Sequence, residues 1–275
     1  SLLEQISIRS YIISLYIAFG IALILSIYYV FRFAGKFKFE GFFSYGPVVK
    51  KLFRYGILNQ LAHIFQLLSF RMSYYWLERL YSDAEVGVYS VGISLVESIW
   101  LISRSINMVQ YARIANTDNL RYAQKLTINL AVAALVLSVA GLLILVLLPA
   151  EFFIFIYGKG FGEAGDVIRT LAPGVLLFNL ALIVDHYFSG IGKYYVNTIS
   201  SFFGMIAAAI LFSHMIPAMG IIGAGWATTL SYTVTTAIVF IFFYREKTIG
   251  LKEALPSTSE MKELFKSLKD RVVKK

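Results

Sequence analysis

From Leu126 to Ala150 the chain reads LTINLAVAALVLSVAGLLILVLLPA, 25 residues without a charge. Ser10–Phe31 is a second uncharged run, and Tyr194–Tyr244 is a third, 51 residues long. A helix of about 20 apolar residues crosses the hydrocarbon of a bilayer. There every backbone polar group has to be satisfied within the segment, which leaves helices as the solution for runs of this kind. Composition agrees: 58% of residues are hydrophobic and 15% charged, against roughly 25% charged in an ordinary soluble domain. The pattern predicts an all-α polytopic membrane helix bundle of about seven transmembrane helices, over about 10–33, 52–78, 86–112, 123–148, 164–189, 194–216 and 220–244.

The basic residues orient it. Nineteen of the 25 lysines and arginines fall on alternate connections: after the first, third and fifth spans and in the tail from Arg245 to Lys275. The opposite side carries only Arg9, Arg79, Lys159 and Arg169. Positive charge accumulates on the cytoplasmic side, so the C-terminus is expected in the cytoplasm, residue 1 outside, and the chain in the plasma (inner) membrane. Ser1 follows no methionine and no signal segment. An outer residue 1 therefore implies upstream spans, and the chain is expected to be the C-terminal part of a longer protein whose N-terminal half it needs.

Two connections have a character of their own. Residues 34–51, AGKFKFEGFFSYGPVVKK, are basic and aromatic and interrupted by Gly41, Gly46 and Pro47. They are expected to lie along the cytoplasmic interface as a linker between two bundles. In the tail, Ser257 and Glu260 have capping-box spacing, and Met261, Leu264, Phe265, Leu268 and Val272 share one helical face with lysines opposite. That tail is either a membrane-surface anchor or a poorly ordered solvated tail.

Several function classes lose their footing. The chain has no cysteine, hence neither disulfides nor thiolate metal sites nor a cysteine nucleophile. The histidines His63, His186 and His214 show no metal-ligand spacing, and no serine sits in a nucleophile elbow. No catalytic residue, metal or cofactor is expected, and the protein is not expected to be an enzyme. Gly160–Gly165, GFGEAG, has the letters of a dinucleotide fingerprint but follows an apolar helix in place of a strand, so it is expected to be an external loop. The basic tail belongs to the membrane topology and not to nucleic acid.

What the apolar reading does not absorb is a set of polar residues inside the second and third spans. At 100° per residue Gly56, Gln60, His63, Arg71, Tyr74 and Glu78 fall within an arc of roughly 80°. On the third span Ser90, Ser94, Glu97, Arg104 and Ser105 share a face. A charge at a helix centre costs roughly 2.5–3.5 kcal/mol on the insertion scale, so these residues should face a bundle interior or a watery cavity. Glu97 and Arg104 are about 10.5 Å apart along the axis, too far to pair simply. Counted from the turn near Ser82, Arg71 and Glu97 differ in depth by about three residues, roughly 4–5 Å. Glu97 is expected to pair with Arg71, leaving Arg104 free. These charges either bind helices to one another or line a substrate or ion pathway. Asp185 and His186, adjacent on the fifth span, are either a buried polar pair or a gating or ion-coupling site near the cytoplasmic mouth.

AEVGVYSVGISLVESIW, FIYGKGFGEAGDVIRTLAPGVLLFNLALIVDHYFSGIGK and MIPAMGIIGAGWATTLSY resemble the C-terminal half of polysaccharide and O-antigen flippases. These belong to the multidrug/oligosaccharidyl-lipid/polysaccharide (MOP) exporter superfamily. The likeness runs from about Lys50 to Tyr244; the chain departs from many relatives in NMVQYARIA, where they carry a proline. The resemblance implies that residues 1–33 hold the last helix of a first lobe, 52–244 a six-helix second lobe, and 245–275 a cytoplasmic tail. It implies transport of an undecaprenyl-pyrophosphate-linked oligosaccharide to the outer leaflet, with membrane lipids and a coupling ion, H+ or Na+, as further partners. Arg71 and Arg104 would attract the pyrophosphate, while serine, glutamine and tyrosine groups accommodate sugar hydroxyls. A multidrug cation exporter of the same superfamily is the alternative, kept alive by Glu97 and Asp185. A membrane glycosyltransferase or polymerase would need larger catalytic loops than these connections provide.

Overall fold

The computed structural model describes residues 8–33 and 46–246. It separates into two compact units, residues 1–52 and 53–275. In the first, α1 (Ile8–Phe33) is one unbroken helix; its side chains are apolar around the whole circumference, and the large ones are exposed. A helix of that kind is suited to lipid on all sides.

The second unit is a helix bundle. Its elements are α2 (Gly46–Leu80), which starts in the first unit, α3 (Asp83–Glu97), α4 (Trp100–Ala115), α5 (Leu120–Leu147), α6 (Ala150–Tyr157), α7 (Ala164–Gly190) and α8 (Tyr195–Arg245). Helix α7 is the central post, with α3, α4, α5 and α8 packed around it. Val167, Ile168, Leu171, Val175 and Phe178 follow one another along its buried face. The chain is thus an all-α polytopic membrane helix bundle. Five of the described helical segments are long and apolar enough to cross a membrane: 9–32, 83–115, 120–146, 159–190 and 195–245. The 35-residue α2 is long enough too but is not among them, because the polar stripe read from its sequence lowers its hydropathy.

Three boundaries differ from expectation. The linker was placed at 34–51, yet 46–51 are the first turns of α2. Pro47 stands in its first turn, where a missing N–H is harmless and the fixed φ suits a helix. The single span expected at 86–112 is two helices, broken after Glu97. There Ile99 N–H donates to Val96 O (3.2 Å) and Ile102 N–H to Ile99 O (3.1 Å), a tighter i→i+3 pattern. Ser98 Oγ donates to Leu95 O at 2.6 Å and so competes for a ladder carbonyl. The spans expected at 194–216 and 220–244 join as α8 through Gly220, at φ 58° and ψ −137°. That backbone is open to glycine and strained for other residues. The halves fold back on each other about it: Ser231 Oγ donates to Gly204 O at 2.9 Å. In the segment Gly160–Gly165, Gly160 and Phe161 end a short 3-10 turn (Lys159–Phe161) and Ala164 and Gly165 open α7; helix α6, not a strand, precedes it. The tail helix expected at 257–272 lies outside the described residues.

Candidate functional site

The polar stripe of α2 lies on the face the bundle does not cover. Ala62, Ser69, Ser73 and Leu77 of α2 are buried, while Gln60, His63, Arg71 and Glu78 are exposed and Tyr74 is half-buried. Apolar residues of α2 are exposed as well, Ile57, Leu67, Leu68 and Tyr75 among them. On α3 and α4, Ser94, Arg104 and Ser105 are exposed, and Ser90 and Glu97 half-buried. Ser90 and Ser105 spend their hydroxyl protons on their own helices, donating to Gly87 O (2.8 Å) and Leu101 O (2.7 Å). Their oxygens keep lone pairs for a visitor's hydroxyl.

The expected Glu97–Arg71 ion pair is not formed. Among the described residues no cation lies within 4 Å of the Glu97 carboxylate; Tyr232 of α8 donates its hydroxyl to Glu97 Oε1 instead, at 3.3 Å. Arg71 lies over its own helix neighbour Tyr74, Cζ 5.7 Å from the ring centroid, a cation–π arrangement. The depth count placed the two charges at comparable levels, and both arginines do lie within electrostatic reach of Glu97. Depth along two helices does not set the lateral direction of a side chain, and a ring three residues on captures the guanidinium first.

Tyr232 is itself fixed from below. Phe70 of α2, Trp100 of α4, Phe178 of α7 and Tyr232 of α8 pack all against all, with ring centroids 4.8–5.8 Å apart. Such pairs add about 0.5–1.5 kcal/mol each beyond their area, so four helices share one rigid floor. On it the phenol of Tyr232 turns toward Glu97. Trp100 is the first residue after the helix break, and Ile99 before it is seated over Gly141 of α5: a Cβ there would stand 2.7 Å from Ile99 Cδ1. The floor and the seat hold the break in place directly behind the acid. Sequence reading missed the floor, although Phe70 and Trp100 flank the two charged stripes.

Asp185 and His186 point to different neighbours, as residues 100° apart on a helix must. His186 bonds Leu182 O through Nδ1 (2.8 Å). Asp185 is 5% exposed. Asn197 Nδ2 donates to its backbone oxygen at 2.9 Å, while its carboxylate Oδ1 is buried without a hydrogen-bond partner among the described residues, as are Asn197 Oδ1 and Ser201 Oγ.

A second polar set was not foreseen at all. Ser103, Asn107 and Gln110 line the side of α4 that faces α7, and they donate to Asn179 O (3.1 Å), Leu182 O (3.2 Å) and Ile183 O (3.0 Å). Gln110 Nε2 also reaches Thr127 Oγ1 of α5 at 3.1 Å, and Asn179 Nδ2 donates to Ser138 Oγ. The spacing i, i+4, i+7 was the available signal; uncharged side chains among apolar ones made it faint.

No protein-family model and no curated protein matches the chain. Solved structures do. A MOP superfamily transporter from Pyrococcus furiosus, for which the reverse polarity of the binding pocket suggests a different function, aligns with a TM-score of 0.62 at 19% identity, over 78% of this chain and 49% of its own. The outward-facing conformation of a multidrug resistance MATE family transporter of the MOP superfamily aligns at 0.60 and 19%, with the same coverage. MATE in complex with MaD3S aligns at 0.61 and 20%, over 78% and 50%. The chain thus shares the fold of part of a MOP transporter and spans about half the length of the structures it matches.

Proposed function

We propose that this chain forms one lobe of a membrane transporter that flips an undecaprenyl-pyrophosphate-linked oligosaccharide from the cytoplasmic to the outer leaflet. In this reading 52–244 is the six-span lobe, 1–33 carries the helix that ends a first lobe, and 245–275 is a cytoplasmic tail. The observation that carries it is the state of the two intramembrane arginines. Arg71 and Arg104 are both exposed on the open polar face, and neither is in an ion pair with a described residue. A bare guanidinium in a spanning segment is costly and is suited to bidentate capture of a phosphate. Gln60, His63, Tyr74, Glu78, Ser90 and Ser94 on the same faces supply hydroxyl, amide, imidazole and carboxylate groups for sugar hydroxyls. Asp185, with its unpartnered buried carboxylate oxygen and His186 beside it, is the proposed place for a coupling proton or sodium ion.

A multidrug cation exporter is the second reading. It is favoured by the likeness to MATE structures and by Glu97 standing over the four-ring floor, where an organic cation would find a carboxylate and π faces. Arg104→Ala separates the two. In a flippase-deficient strain carrying the full-length gene, the variant should keep normal membrane abundance and lose surface-polysaccharide export, with Arg104→Lys restoring it in part. Normal export from Arg104→Ala would make this arginine structural, whereas ethidium efflux with no rescue of polysaccharide export by the wild-type gene favours the exporter.

A further inference from the structure

Glu97 feels the charge of two arginines and forms an ion pair with neither, an arrangement unlike an ordinary buried ion pair. Its carboxylate is within electrostatic reach of Arg71 and Arg104, takes its hydrogen bond from Tyr232 at 3.3 Å, and is the last residue of α3 before the i→i+3 break at Ser98 and Ile99. We infer that Glu97 is a resident counter-anion: it balances both arginines while the site is empty and is displaced electrostatically by the incoming phosphates. Tyr232 is the positioning residue that keeps it from collapsing onto either guanidinium.

Each part has a physical reason. Two unneutralised guanidinium groups on adjacent spans would repel each other and carry the full insertion cost. A carboxylate in contact with one of them would satisfy that arginine and block it against a phosphate. Held a short distance off by a phenol that the four-ring floor cannot release, the carboxylate neutralises the pair without occupying its donors. When a phosphate arrives, like charges at close range in a low-dielectric site oppose each other strongly. That repulsion weakens binding and hastens release, which a transporter needs on its far side. The repulsion acts at the end of α3, where the helix is already interrupted and Ile99 is seated over Gly141.

This inference rests on the anionic-substrate reading, and the test keeps the two apart. The full-length protein, purified in detergent, is titrated with inorganic pyrophosphate by calorimetry, as wild type, Glu97→Gln and Tyr232→Phe, with export measured in cells. Glu97→Gln keeps an acceptor for the Tyr232 hydroxyl but removes the charge. It should bind pyrophosphate about tenfold more tightly and export more slowly. Tyr232→Phe frees the charged carboxylate to pair with an arginine and should bind severalfold more weakly. Unchanged or weaker binding by Glu97→Gln overturns the counter-anion role. Should that variant fail to fold, unchanged binding by Tyr232→Phe overturns it equally. A wild-type protein that binds no pyrophosphate refutes the anionic-substrate reading itself. Loss of tetraphenylphosphonium binding in Glu97→Gln would instead make Glu97 a cation ligand.

Discussion

The α4–α7 seam and the open face of α2 and α3 are both polar, and both are built from membrane-spanning helices, yet they behave oppositely. Along the seam the side chains are uncharged and buried: Ser103, Asn107, Gln110 and Asn179 are at most 2% exposed, and each donates to a defined acceptor on a neighbouring helix. On the open face the groups include full charges, are exposed or half-buried, and, apart from the bond that Glu97 accepts from Tyr232, are unpaired among the described residues or tied to their own helix. Hydrogen bonds across membrane helices hold a bundle together at about 0.6 kcal/mol each on average. Charged groups with no such bond add nothing to that cohesion and cost insertion energy. The seam is architecture, and the open face is where a ligand has something to gain.

That contrast can be broken by substitution. The largest loss of stability should come from the bundle's centre, at Gly174 of α7, where a Cβ would stand 2.5 Å from Thr229 Cα. Backbone cannot yield as a flexible side chain can, so Gly174→Leu should cost about 3 kcal/mol or more through overpacking. Membrane abundance by immunoblot should collapse; normal abundance would mean that α7 and α8 do not pack this closely. Next is Gln110→Ala on the seam, which removes two bonds and leaves Thr127 Oγ1 and Ile183 O without that donor. A loss of about 1–2 kcal/mol is expected, read as a lower midpoint in thermal unfolding of the detergent-solubilised protein. The smallest effect belongs to the open face: Ser105→Ala removes a hydroxyl that bonds only to Leu101 O of its own helix and should shift stability by less than about 0.5 kcal/mol. A shift as large as that of Gln110→Ala would erase the distinction between the two regions.

Periodicity explains why one region was legible and the other was not. Arg71, Glu97 and Arg104 stand out because a charge inside an apolar run is rare, and 3.6 residues per turn assigns them to a face. Asn107 and Gln110 follow the same arithmetic but lack charge, so their stripe is lost among neighbours of moderate polarity. The break at Ser98 was hidden for a related reason. Nothing in SLVESIW forbids a continuous helix, and the interruption depends on Ile99 finding Gly141 on α5.

From its sequence alone the chain was committed to membrane helices, because uncharged runs of 22 to 51 residues leave the backbone no other way to satisfy itself in hydrocarbon. Sequence also determined which sides of α2, α3 and α4 are polar, since a helix carries its own angular coordinate. Tertiary structure alone decided the partners. Glu97 meets Tyr232 across 135 positions of chain, Ser69 meets Ser231 across 162, and Phe70, Trp100, Phe178 and Tyr232 converge from four helices. Periodicity along one helix says which way a residue looks. What it sees there depends on the packing of all the others.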